Sequence, residues 1–83
     1  PQYNVEADVL ARTSDPGLAT ATYNTHRAMR SAGLVGFDAE GIEQLLARDD
    51  STVDMLDDWE ARLQVDVGPL REALGILARP THH

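Results

Sequence analysis

No cysteine occurs in the chain, which excludes a disulfide framework, a four-cysteine zinc site and thiol chemistry. Lysine is absent as well, so all 7 basic side chains are arginines, and arginine favours fixed bidentate or stacked arrangements over diffuse solvation. Aromatic side chains are few: one Trp, one Phe and two Tyr. The core must therefore come mainly from Leu, Ile, Val, Ala and Met, with Trp59 as its broadest ring. No apolar run reaches the length that spans a bilayer, and no basic region followed by an apolar stretch marks a signal peptide. A cytoplasmic protein with no membrane contact is the resulting expectation.

What the chain has in excess is acid. Its 14 Asp and Glu against 7 Arg give a formal charge of -7, and ten of those acids lie between Asp38 and Asp66 with only two arginines among them. Such a balance argues against direct nucleic-acid binding, which needs concentrated Lys and Arg to displace counterions from phosphates. It argues equally against anionic lipid surfaces. At 83 residues the chain is one small domain, expected over residues 1–80 with a flexible tail at 81–83. A domain of this size buries a modest fraction of its surface, so self-association as a homodimer is among the expectations.

Helical punctuation recurs along the sequence, and no stretch alternates apolar and polar residues long enough to suggest a sheet. A first helix is expected after an Asn4 cap, through Val5 to Arg12, with acids in its first turn. Asp15-Pro16-Gly17 opens a second, Leu18 to Ala32, whose Leu18, Ala21, Thr22, Thr25, Ala28, Met29 and Ala32 form a narrow face of small side chains. Gly33 stops it. Phe37 before an Asp38 cap resembles a hydrophobic staple leading into a third helix, Ala39 to Arg48, with Ile42, Leu45 and Leu46 inward. Asp49-Asp50 is read as its end, and Ser51 with Asp54 as the capping box of a fourth helix carrying Val53, Leu56, Trp59 or Glu60, and Leu63 on one stripe. Gly68-Pro69 opens a fifth, reaching Ala78, with Leu70, Ala73, Leu74 and Leu77 on one face. The fold class predicted is all-α, a compact four- to five-helix bundle with short loops.

Tests for chemistry return little. His26 has Thr22, Thr25, Met29 and Arg30 at helical offsets and no acid within its turn, so it lacks the paired group by which a catalytic base is recognised. His26 with Tyr23, or with Tyr3, remains a speculative polar site that a distant acid would complete on folding. The acids Glu43, Asp50, Asp54 and Asp57 or Asp58 lack the ligand order and central glycine of a calcium loop, and His82-His83 is at most a weak nickel or zinc chelate. Gly33-Leu34-Val35-Gly36 has neither the dinucleotide nor the Walker pattern. No catalytic residue, metal or cofactor is assigned.

Interaction is the more physical destination for the unusual residues. Trp59 sits among Asp54, Asp57, Asp58 and Arg62, and it either covers the core or projects toward another chain, Trp and Arg being common interface anchors. Arg62 and Arg71, with Met55 nearby, frame it. Arg27 and Arg30, three positions apart, face either the acidic segment of the same chain or an acidic partner. The expected function is a non-enzymatic protein-interaction module, regulator or accessory subunit that engages another protein or a second copy through apolar and acidic faces. The alternatives are a small enzyme or pocket-completing subunit using His26, and an acidic nucleic-acid mimic binding a basic protein. A helix-turn-helix descendant is the remotest reading, since its recognition helix would offer mainly Arg71 and Glu72.

Overall fold

The computed structural model describes residues 3–76; the expectations for Leu77 and Ala78 and for the tail with His82 and His83 lie outside the described residues. Five α-helices form a bundle, with no strand among the described residues: α1 Val5–Arg12, α2 Pro16–Ser31, α3 Ala39–Ala47, α4 Asp50–Asp58 and α5 Gly68–Leu74. Each of the first three starts at the polar residue the sequence offers for it. Asn4 accepts the Ala7 N–H at 3.0 Å, Asp15 that of Leu18 at 3.1 Å and Asp38 that of Gly41 at 2.7 Å, each worth about 1 kcal/mol because it satisfies a donor the helix leaves unpaired. α2 ends at Gly33, whose φ of +82° lets the Leu34 N–H turn back onto the Met29 carbonyl at 2.9 Å.

The start of α4 differs from the sequence expectation. Asp49 is the cap, not Ser51: its carboxylate accepts from the backbone of Ser51 and Thr52, and Thr52 Oγ1 accepts from the Asp49 N–H at 3.2 Å. Thr52 therefore takes the place expected of Asp54 in the reciprocal box, and its hydroxyl also donates to the Gln44 carbonyl at 2.7 Å, tying α4 to the end of α3. The reversal between them is made by Arg48, whose φ is +56°. Asp54 is left on the exposed side of α4.

α1 packs against α2 and α3, α2 against α5, and α3 against α4. Leu18, Ile42, Leu45, Leu56, Leu70, Val9 and Val67 are fully buried between them. Only part of the small-residue face of α2 is used: Leu18, Ala21, Thr22, Thr25 and Met29 are buried together with Ala19, whereas Ala28 and Ala32 are exposed. The buried Thr22 hydroxyl donates to the Leu18 carbonyl at 2.7 Å, which removes the cost of an unpaired hydroxyl in the core. α5 ends at Gly75, φ +72°, earlier than the periodicity alone would place its end.

Between α4 and α5 the chain does not continue as α-helix. Trp59–Leu63 forms a π-helical turn closed by Gln64, φ +56°, whose N–H bonds the Trp59 carbonyl. The wider i→i+5 turn breaks the spacing of three and four that keeps the α4 stripe on the core. Accordingly none of its five residues is fully buried, and Val65 and Val67 bring the chain back into the interior.

Candidate functional site

Trp59 lies where the π turn, the end of α2 and the loop 34–37 meet. Its ring centroid is 4.8 Å from that of buried Phe37 with the planes at 56°, a tilted pair that adds to the burial of both rings. Trp59 is only partly covered. Its other side lines a concave surface of about 270 Å³ with Met29, Leu34, Val35, Gly36, Arg62 and Leu63. Val35 is 75% exposed on that surface. Trp59 thus packs one face against Phe37 and borders an open surface with the other.

The charged candidates fall on two sides of this groove. Arg62 grips Asp58 one turn back, with Nε at 3.1 Å from Oδ1 and Nη2 at 2.9 Å from Oδ2, and these bonds hold the Asp58 carboxyl below the usual range. Both groups are exposed, so the pair orients Arg62 more than it stabilises the fold. Arg71 does not frame the tryptophan. It is 6% exposed, reaching from α5 to place Nη2 at 2.7 Å from Asp57 and 3.3 Å from Glu60. Its Nε and Nη1 are buried without a hydrogen-bond partner. As an interaction candidate Arg71 is therefore corrected to an internal strut between α5 and the acidic side of α4, and Met55 is a core residue.

His26 is likewise placed by the fold rather than by its helix neighbours. Its Nδ1 accepts the Phe37 N–H at 2.9 Å, and Gly36 passes so close that a Cβ there would lie 2.5 Å from Nδ1. Gly36 also has φ +84°, so both backbone conformation and space require glycine. Burial first, then the Arg30 charge, hold the His26 pKa below its ordinary value. Arg30 donates to the carbonyls of Leu34 and Val35 at 3.5 and 3.2 Å, so it secures the loop instead of neutralising the acidic segment. Arg27 sits 5.8 Å from the centroid of the Tyr23 ring, within cation–π range.

Tyr3, Asn4, Val5, Tyr23 and His26 line a second, open concavity of about 230 Å³. His26 and Tyr23 are therefore brought together, and Tyr3 joins them. The acid nearest this assembly is already engaged: Tyr3 donates its hydroxyl to Asp8, which also accepts from Arg12 Nε at 2.7 Å. Burial and the Asp8 carboxylate push the Tyr3 pKa up to about 12. No group of three or more His, Asp or Glu among the described residues is arranged to hold a metal ion, and no helix there is long and apolar enough to cross a membrane.

The groove residues missing from the sequence reading are Met29, Leu34, Val35, Gly36 and Leu63 as a unit. The run Gly33-Leu34-Val35-Gly36 was the available signal, an apolar pair between glycines in a loop. No protein-family model matches the chain, and neither a curated protein nor a solved structure is significantly similar to it.

Proposed function

We propose that the chain is a non-enzymatic protein-interaction module whose Trp59 groove receives the apolar face of a cationic amphipathic segment of another protein. The observation that carries this reading is the groove itself, in which Trp59, Leu34 and Leu63 are half-covered and Val35 is 75% exposed. Large aromatic surface beside an ordered arginine is the composition of an interface centre. Charge selects the occupant. The chain carries -7 overall, and Arg62, which lines the groove, is already bound to Asp58, so a second copy would bring like charge to like charge while a Lys- or Arg-bearing segment would be steered in.

Two other readings have weaker support. A nucleic-acid mimic needs a free, regular acidic stripe, whereas Asp57, Asp58 and Glu60 are each bound to an arginine of the same chain. An enzyme built on His26 would have to work with Nδ1 already engaged by a backbone amide.

The test is a titration of the chain with a synthetic Leu/Lys amphipathic helix, followed by Trp59 fluorescence, beside a Leu/Glu helix of the same pattern. Val35→Ser removes apolar contact from an exposed position without touching the core; losing about 1–2 kcal/mol of burial should weaken the Leu/Lys complex about 5–30-fold. Equal binding by the V35S variant would mean that the peptide sits on charge alone, and the groove reading would be wrong. Self-association that V35S abolishes would instead assign the groove to a second copy.

A further inference from the structure

We propose that His26 is a protonation latch on one wall of the Trp59 groove, closed when its imidazole is neutral and released when Nδ1 takes up a proton, so that acidification opens the wall and weakens docking. The gate rests on the docking reading above; the latch itself does not.

The geometry is one-directional. A backbone N–H can bond Nδ1 only while that nitrogen has a free lone pair, which is the neutral ring with its hydrogen on Nε2. The Phe37 N–H uses that lone pair at 2.9 Å. A proton from solvent added to Nδ1 would place two N–H groups against each other at that distance, and the amide would lose its acceptor. Gly36 lies against one side of the ring, where even a methyl group would meet Nδ1 and Cε1 at 2.5 and 2.7 Å, so the ring cannot shift toward the chain there. Release therefore separates the ring from the chain at Gly36 and Phe37.

That segment is the groove wall. Leu34, Val35 and Gly36 line the groove directly, and Phe37 backs the Trp59 ring. Its other end is held independently of pH, by Arg30 on the Leu34 and Val35 carbonyls and by the Leu34 N–H on Met29. Protonation thus removes the backbone tie at one end of a loop tethered at the other while the Phe37 ring stays buried, a hinge of a few residues rather than an unfolding event.

The groups facing the imidazole all oppose its charge or are indifferent to it. Arg30 on α2 carries a positive charge beside it. Tyr3, from the segment before α1, stays a neutral phenol to about pH 12, and Tyr23 on α2 completes the lining. Asp8 is bonded to Tyr3 and Arg12, and Asp38 acts on Tyr3; among the described residues, those that line these two concavities include no carboxylate. Because the closed state disfavours the proton, the latch is fully closed above the pKa of a free histidine, about 6.5, and the ratio of open to closed rises up to tenfold per pH unit below it.

The experiment follows the Phe37 amide in a proton–nitrogen correlation spectrum and Trp59 emission from about pH 7.5 to about pH 5, a range that spans histidine titration. His26→Asn is the control, since the Asn carbonyl oxygen can take the position of Nδ1 and accepts without titrating. In the wild type the Phe37 amide and Trp59 should move together through a single transition below about pH 6.5, and the Leu/Lys helix should bind at least severalfold more weakly at the acidic end. In H26N both should be flat. Should that variant not fold, the ring nitrogens of His26 in the wild type answer directly, with Nδ1 unprotonated at neutral pH and losing that state in step with the Phe37 amide.

A Phe37 amide unaffected by pH overturns the latch, and the same transition in H26N overturns it by assigning the effect to groups other than His26. Peptide affinity independent of pH while the amide titrates overturns the gate. No peptide binding at any pH, with the amide still titrating, refutes the docking reading and not the latch.

Discussion

Arg71 offers a sharp test of the energetics because its charge is buried while its partners are not. Its side chain is 8% exposed, against 39% for Asp57 and 52% for Glu60, and two of its three nitrogens have no hydrogen-bond partner. Asp57→Asn removes the 2.7 Å ionic partner and leaves a guanidinium that is out of water with Glu60 as its remaining ionic partner among the described residues. Breaking a wholly buried pair costs about 3–5 kcal/mol; with Asp57 partly solvated, about 2 kcal/mol is expected, in line with hydrogen bonds to charged groups. Arg71→Met has the opposite logic. It removes the charge together with the orphaned nitrogens and keeps the aliphatic stem, so it should stay within about 1 kcal/mol of the wild type.

The ordering is thus counterintuitive, with loss of the half-exposed acid worse than loss of the buried arginine. Against a total stability of about 4–12 kcal/mol for a chain of this length, D57N should lower the Tm by about 8–16 °C and R71M by no more than about half of that. Urea and thermal unfolding followed by circular dichroism measure both. The double variant should resemble R71M alone, a coupling of about 2 kcal/mol between the two sites. A cycle in which the two changes simply add, or R71M more damaging than D57N, would refute the view that Asp57 serves chiefly to compensate a desolvated charge.

Two glycines with nearly the same backbone separate strain from crowding. Gly33→Ala and Gly36→Ala both force alanine to positive φ, +82° and +84°, at about 1 kcal/mol or somewhat more. Only Gly36 faces His26, with nothing within 4 Å of a Cβ at Gly33, so G36A should cost at least about 1 kcal/mol more in urea titration, from the lost Phe37 bond; equal losses would show that the close approach has no energetic weight. Tyr3 should ionise late for a tyrosine: in a Tyr23→Phe background, which leaves one phenol to follow, the phenolate should appear near pH 12, and Asp8→Asn should bring it back toward about 10. Since the folded state holds the Tyr3 proton more tightly, this group's stabilisation is complete below about pH 10 and is lost as the pH rises toward 12. An ultraviolet titration with the same midpoint in both proteins would remove Asp8 as a cause.

Helix identity was legible because it is written locally. Asn4, Asp15 and Asp38 cap the helices they precede, and Gly33 ends the one it follows, since capping depends on a few consecutive residues. The reading slipped where two neighbouring polar residues compete for one role: Asp49 and Ser51 both suit a cap, and the Thr52 hydroxyl decided for Asp49 by also bonding Gln44 on α3. It slipped again at Trp59–Leu63, where an apolar stripe continues through a change from α to π geometry. Hydrophobic spacing of three and four does not register that change.

The sequence by itself determined an all-α bundle, its principal caps, an acid-rich second half and the absence of cysteine and lysine chemistry, because each follows from composition or from neighbours within a turn. Only the tertiary structure decided that Arg71 turns inward to Asp57 and Glu60, that His26 holds the Phe37 amide eleven residues away, and that Trp59 shares its faces between Phe37 and an open groove. Those outcomes depend on which helix surfaces meet, and residues far apart in the chain become partners only after burial has chosen the packing.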